Sequence, residues 1–296
     1  MKTSTGLEST NVPKVALEST VITHGLPRPV NLQIAREMEA SVRAGGAIAY
    51  MMAVLAGDVK VGLSDAQLVD LAQREGVRKC SMRDLPLMKQ TGEYGGTTVS
   101  ATLFLSLRAG IPVFATGGIG GVHRGDMMDV SADLPALAQF PGTVVCAGAK
   151  SILDLPRTRE RLETDGVTVL GWQCDEFPSF YSRDSGLEVD QRVESAAEVA
   201  RIMQERDRLG LSQSILVTVP CPEGFALPQM EMEDAIEQAE ASAFRAGVVG
   251  KALTPYLLNH LAEATKGRSL AANRALLRNN ARVAAEIACA FSKSDV

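Results

Sequence analysis

Lys150 is the residue whose setting most suggests chemistry. It follows a tight Ala147-Gly148-Ala149 turn after the apolar run Thr143–Cys146, and precedes Ile152–Leu155, which reads as the start of a helix. An amine at the positive end of a helix dipole is disfavoured as a charge. Two readings fit it. The side chain extends into water, or its pKa is lowered until the free amine can attack a carbonyl or anomeric carbon. A second loop, after the apolar run Ile111–Ala115, carries Gly117, Gly118, Gly120 and Gly121, then His123, Arg124, Asp126 and Asp129. Glu18 lies in the apolar stretch Val15–Ile22, flanked by small residues on its own face, and glutamate is disfavoured in buried strands. It is either a core carboxylate satisfied by an arginine or an acid aimed at a ligand. Gly95-Gly96-Thr97-Thr98 reads as a glycine-led helix start, whose amides and hydroxyls could cradle a phosphate around Thr98 and Val99.

These groups need rigid elements behind them, and the apolar periodicity supplies candidates. Ile111–Ala115, Thr143–Cys146, Val167–Gly171 and Ser214–Val219 read as buried strands. In a first strand spanning Glu18, alternation puts Ala16, Glu18, Thr20 and Ile22 on one face. Residues 31–44 form an amphipathic helix with Ile34, Met38 and Val42 on one stripe, closed by Gly45-Gly46. Ala47–Leu55 and Val59–Val61 pair through a Gly57-Asp58 turn. Ser64-Asp65-Ala66-Gln67 is a capping box for a helix reaching about Arg74. Val77–Ser81 is a short strand carrying Lys79. Residues 194–208, 229–247, 254–265 and 269–291 read as helices, and 172–192 as a long ordered excursion. On the last helix Leu270, Asn273, Leu277, Asn280 or Ala281, and Ala284 share a stripe; an asparagine there needs core backbone or a ligand as partner. The pattern predicts a flexible arm over residues 1–13 and one α/β catalytic domain over 14–296. Its central, largely buried β-sheet is flanked by helices on both faces.

Composition narrows the function classes. The 296 residues are 46% hydrophobic and carry a formal net charge of −5, with basic residues spread singly, which argues against nucleic-acid or anionic-membrane binding. No apolar run is long enough to span a bilayer, and the polar start is no signal peptide. Five cysteines, widely spaced and without a CxxC pair, fit buried thiols in a reducing cytoplasm.

A string of motifs, in order along nearly the whole chain, resembles the pseudouridine-5′-phosphate glycosidase (indigoidine synthase A-like) family. It comprises Ala16-Leu17-Glu18-Ser19-Thr20 with His24-Gly25, Lys60-Val61-Gly62-Leu63, Arg83-Asp84-Leu85-Pro86, Thr97-Thr98-Val99, FATGGIGGVHRG (114–125), Asp129 to Leu134, CAGAKSILDL (146–155), Phe177-Pro178, and Gly250-Lys251 with Thr254-Pro255. The resemblance implies a manganese-dependent, commonly trimeric enzyme that breaks or forms the C–C bond between C1′ of ribose 5-phosphate and C5 of uracil. It implies Lys150 as the nucleophile forming a Schiff base with C1′ of the opened sugar, and Glu18 as the acid that donates a proton during ring opening. Asp129 would be the Mn²⁺ ligand, a hard oxygen whose remaining partners are waters. Ser131, Ala132 and Asp133 would bind substrate, Asp133 also assisting catalysis, with Lys79 and Val99 as further substrate contacts and Asn273 as the asparagine that contacts the base. A non-catalytic sugar-phosphate sensor could use the same pocket but would not need Glu18, Asp133 and Lys150 together.

Departures from the family's pattern fall at Met51, where it has threonine, and at Val219, where it has asparagine. Neither side chain can hydrogen-bond a uracil edge. The sugar-side residues are kept. Two readings follow: neutral drift at positions that never touch the base, or C-ribosylation of an aromatic polyketide acceptor, as in the alnumycin branch. The second is the expectation. Cleavage of pseudouridine 5′-phosphate to uracil and ribose 5-phosphate is the alternative. The expected partners are a small sugar phosphate and a uracil-like or larger aromatic acceptor, in a cytoplasmic homotrimer.

Overall fold

The computed structural model describes residues 12–125, 128–248, 250 and 253–293. Most of the predicted N-terminal arm, Asp126 and Lys251 therefore lie outside the described residues.

Among the described residues, ten strands form one sheet in the order β4-β5-β2-β1-β6-β7-β10-β8-β9, with β3 beside β2. The centre comprises β1 (Lys14–Glu18), β2 (Ile48–Leu55), β6 (Val113–Ala115), β7 (Thr143–Cys146), β10 (Ile215–Thr218) and β8 (Thr168–Trp172), all parallel. Val113–Ala115, Thr143–Cys146 and Ile215–Thr218 are buried along their whole length, as apolar strands covered on both faces must be. β3 (Asp58–Val61) and β5 (Gly95–Thr97) run against β2, and β4 (Arg78–Cys80) runs with β5. β9 (Gln191–Val193) closes the far edge.

Helices cover both faces. α2 (Val30–Ala44), α8 (Ala196–Arg208) and the long α11 (Arg268–Lys293) form one layer, with α11 packed on both of the others. α5 (Val99–Arg108), α6 (Asp133–Gln139) and α7 (Leu155–Thr164) form another, α6 touching each of its neighbours. α9 (Gln229–Arg245) and α10 (Leu253–Ala264) pair with each other, and α10 also leans on α11. The predicted stripe of α2 is fully buried at Ile34, Met38 and Val42. The capping box on α3 (Asp65–Gln73) forms in both directions between Ser64 and Gln67.

Four local expectations are corrected. The first strand stops at Glu18, because Ser19 turns the chain into α1 (Thr20–His24), so the expected alternation does not extend past it. The β2–β3 hairpin turns at Ala56-Gly57, both with positive φ (49° and 81°), while Asp58 pairs with Leu55 in the ladder. Gly95–Thr97 is a strand rather than a helix start. A side chain at Gly95 would meet Met88 at 2.8 Å, and one at Gly96 would meet Thr23 at 2.1 Å, so these glycines are there for close packing. Finally, no helix begins at Lys150. Asp154 caps α7 by accepting from the Arg157 amide, and Leu155-Pro156 supplies the first turn. The dipole argument for the Lys150 amine therefore does not apply.

Candidate active site

The chain leaves β1 toward β2 on one side and later returns to place β6 on the other. A crevice must open where the direction reverses, at the carboxyl ends of β1 and β6. Glu18 is the last residue of β1, the glycine-rich loop follows β6, and Lys150 lies four residues beyond β7. A cavity of about 500 Å³ opens there, lined by Glu18, Lys79, Thr98, Asp129, Ser131 and Lys150, among others. Val99, Ala132 and Asp133 also border it, so the sugar-side residues of the sequence analysis come together. A second recess shares Glu18, Lys79 and Lys150 with it and is lined further by Val21, His24, Phe180, Leu258, Asn273 and Leu277.

Three backbone ties hold the turn that carries Lys150. Its amide donates to Ile119 O at 3.1 Å, Leu153 N donates back to Lys150 O at 3.0 Å, and Ala147 N donates to Gly117 O at 2.8 Å. Gly148, at φ +80°, lies so close to the 172–192 excursion that a Cβ would sit 2.1 Å from Pro178 O. Phe180 N then donates to Ala147 O at 3.1 Å, which seats the ring against Gly118. Phe180 itself has φ +58°, a costly conformation for an aromatic residue, held where its ring forms part of the recess.

Glu18 is buried, and the Thr116 hydroxyl donates to its Oε1 in a very short hydrogen bond. Burial raises its pKa from 4.5 to about 7, against the opposing pull of the Lys150 charge and the Thr116 bond; Asp133 adds to the rise and Lys79 opposes it. The same two lysines act on His123, whose pKa is lowered first by burial, with Asp129 pulling the other way. The core-carboxylate reading of Glu18 required an arginine; its hydrogen-bond partner is a threonine, and it faces the cavity.

Asp133 has a different setting. Its Oδ1 accepts from the Ser100 amide at 3.0 Å and its Oδ2 from the Gly120 amide at 2.9 Å. The carboxylate thus caps the first turn of α5, where Thr98 makes no side-chain cap, and pins the glycine loop. The Ser100 amide, in the first turn of α5 just after Thr98 and Val99, is occupied by the protein's own anion. Ser131 Oγ accepts from the Asp133 amide at 3.2 Å. The two asparagines of α11 divide the alternatives left open for that stripe. Asn280 is fully buried and donates to Thr116 O at 2.8 Å, whereas Asn273 borders the recess.

Asp129 is exposed on the cavity wall, with His123 beside it. Among the described residues no three His, Cys, Asp or Glu side chains converge as a metal cage. One carboxylate with an imidazole nearby fits a hard cation that keeps most of its water, not a structural metal.

Met51 and Val219, the basis for expecting an aromatic acceptor, are each 1% exposed and packed in the core. Neither lines the cavity or the recess. Met51 lies in β2 opposite Leu17 of β1, and Val219 follows β10 with its amide on Cys146 O; both side chains belong to the main apolar core. Sequence reasoning missed Thr116, whose hydroxyl sits on Glu18, and Phe180. Thr116 lies in the FATGG motif but gives no chemical signal until the fold sets it opposite Glu18, 98 residues away.

Residues 5–290 match the family of indigoidine synthase A-like proteins. The chain belongs to that family. It is 50% identical over 283 residues to the pseudouridine-5′-phosphate glycosidase of Caldanaerobacter subterraneus subsp. tengcongensis, covering 95% of this chain and 92% of that one. Identity to the glycosidase of Methylobacterium nodulans is also 50%, over 94% of this chain and 83% of the relative. The indigoidine synthase A-like protein of Thermotoga maritima superposes with a TM-score of 0.90 at 39% identity, covering 95% and 94% of the two chains. The prealnumycin C-glycosynthase AlnA, solved with ribulose 5-phosphate, superposes at 0.88 and 38% identity, covering 96% and 93%. Membership accounts for the mixed, mostly parallel sheet flanked by helices. No helix among the described residues is long and apolar enough to cross a membrane.

Proposed function

We propose that this indigoidine synthase A-like protein is a pseudouridine-5′-phosphate glycosidase, which converts pseudouridine 5′-phosphate and water to uracil and ribose 5-phosphate. The observation that carries the reading is the placement of Glu18, with its pKa at about 7, in one cavity with Lys150. An acid of that pKa holds a proton at neutral pH and can still release it. The relatives at 50% identity carry this activity in their names. The expectation of an aromatic acceptor gives way, because the two residues that motivated it are in the core.

The residues supply the steps in sequence. The reaction needs a carboxylic acid at Glu18 and a free amine at Lys150. Glu18 protonates the ring oxygen as the C1′–O4′ bond breaks, and the Lys150 nitrogen forms a bond to C1′. Glu18, now a carboxylate, takes the proton that the attached nitrogen must shed to regain its lone pair, and passes it to C5 of uracil. As the nitrogen lone pair makes C1′=N, the C5–C1′ bonding pair returns to the uracil ring. Water adds to the iminium carbon and releases ribose 5-phosphate and the lysine. Asp133 keeps α5 and the glycine loop in register, and Lys79 brings positive charge to the phosphate side. A Mn²⁺ ion held by Asp129 and waters would add positive charge beside the anionic substrate.

Uracil release from pseudouridine 5′-phosphate by the purified protein, with and without Mn²⁺, tests the reading. Ribosylation of fused aromatic acceptors in the same preparation is the comparison. Turnover of aromatic acceptors with no uracil release under either condition would reject glycosidase activity.

A further inference from the structure

Arg124 has no part in the chemistry above, yet its guanidinium is engaged on three sides. Nε donates to Leu153 O at 3.3 Å and Nη2 to Ser151 O at 3.2 Å. Nη1 and Nη2 fork onto the Glu233 carboxylate at 2.9 and 3.3 Å, and Nε lies 4.0 Å from Glu240. The first two partners belong to the turn that carries Lys150. That turn is laced to the Arg124 segment by Lys150 N on Ile119 O and Asp154 N on Val122 O. The acidic partners belong to α9, which packs on α10, and α10 places Thr254, Pro255 and Leu258 in the recess wall.

We propose that Arg124 is a positioning residue that couples the nucleophile's turn to the α9–α10 wall of the site. One planar fork satisfies two carbonyls and a carboxylate at once, which sets the turn and the wall against each other. A lysine ammonium has no such fork and would hold one partner at the expense of the others. A misplacement of about 1 Å in a reacting group costs on the order of 100-fold in rate, so this contact acts on turnover without touching substrate. The kinetic part rests on Lys150 being the nucleophile of the proposed glycosidase.

Two substitutions separate the arms of the contact. Glu233→Gln weakens the α9 arm alone, while Arg124→Gln removes both. Hydrogen exchange on the unliganded full chain should quicken in residues 253–264 for Glu233→Gln, and in both 147–154 and 253–264 for Arg124→Gln. With pseudouridine 5′-phosphate, Glu233→Gln should raise KM about tenfold and leave kcat within about threefold, since the turn stays held. Arg124→Gln should lower kcat about 100-fold, and Arg124→Lys should not restore it. Wild-type kcat and exchange in Arg124→Lys, or identical exchange maps for Glu233→Gln and wild type, would overturn the coupling. The exchange measurement needs no substrate, so it judges Arg124 even if the glycosidase assay fails. Should Arg124→Gln not fold, Arg124→Lys and Glu233→Gln decide the matter by the same readouts.

Discussion

A carboxyl group that keeps its proton near neutrality makes a pH-dependent enzyme. The acid form of Glu18 is present below its pKa of about 7 and is lost above it. The alkaline limb of kcat/KM should therefore fall through about pH 7. Thr116 donates to the carboxylate and holds its pKa down, so Thr116→Val should move that limb to higher pH. A limb that stays in place would remove Glu18 as its source. The same group affects stability. Between pH 4.5 and about 7 the folded chain holds more of this proton than the unfolded chain, so stability falls as pH rises through that window. Glu18→Gln, which cannot ionise, should gain stability relative to the native chain between about pH 5 and about pH 8, by up to roughly 3 kcal/mol. Denaturant melts of both proteins at the two pH values measure the difference. Lys150→Arg should fold but form no borohydride-trapped adduct with ribose 5-phosphate, because a guanidinium stays protonated. An adduct of undiminished yield would dismiss Lys150 as the nucleophile. Both residues were legible in the sequence, since an acid in an apolar strand and a lysine after a glycine turn are unusual on chemical grounds. Thr116 was not, since threonine in a loop is ordinary.

Elements place these groups more than helix ends do. The Lys150 turn was read as a helix start from Ile152–Leu155, but those apolar residues are buried because the turn folds against residues 117–124, not because they form a helical stripe. Periodicity over so short a run cannot tell the two apart. The long, strongly patterned segments were legible, α2 and α11 almost to the residue. Gly95–Thr97 was not, because its strand depends on partners in β2 and β4 and on a tight fit against Met88 and Thr23. Three substitutions probe this scale. Gly148→Ala meets both a positive φ and Pro178 O at 2.1 Å, whereas Gly186 has a positive φ and open space. Gly148→Ala should cost several kcal/mol, or prevent folding, against about 1 kcal/mol for Gly186→Ala. Equal midpoints in urea would contradict the packing described at Gly148. Asp133→Asn turns an amide toward one of the two backbone N–H groups that now donate to a carboxylate. It should lower stability by about 1–3 kcal/mol and impair turnover, which separates a positioning role from a purely proton-transferring one. Unchanged stability with lost turnover would favour the latter.

At the scale of the whole molecule, the sheet's change of direction sets two different surfaces on either side of Glu18 and Lys150. One is polar, with Lys79, Thr98 and Ser131; the other includes Val21, Phe180, Leu258 and Leu277, with the Asn273 amide among them. A sugar phosphate suits the first and a flat, hydrogen-bonding base the second. Apart from Asn273, which the family resemblance placed at the base, the sequence could not reveal this division, because the second surface is assembled from α1, the 172–192 excursion, α10 and α11, which share no local pattern. Met51 and Val219 differ from the family yet are buried away from this surface, so of their two readings the structure favours drift at positions that never touch the base. The division can be tested with two ligands of unequal size. Ribose 5-phosphate lacks a base, so trapping it on Lys150 needs only the polar side. Phe180→Ala and Asn273→Ala should raise KM for pseudouridine 5′-phosphate about tenfold or more, at roughly 1–2 kcal/mol for a lost stacking or hydrogen-bonding contact. They should leave the rate of borohydride trapping by ribose 5-phosphate within about twofold. Lys79→Ala and Ser131→Ala should weaken both reactions together. If Asn273→Ala slowed the trapping of ribose 5-phosphate as much as it weakened the nucleotide, the two surfaces would not be separate subsites. Asn273 would then belong to the sugar.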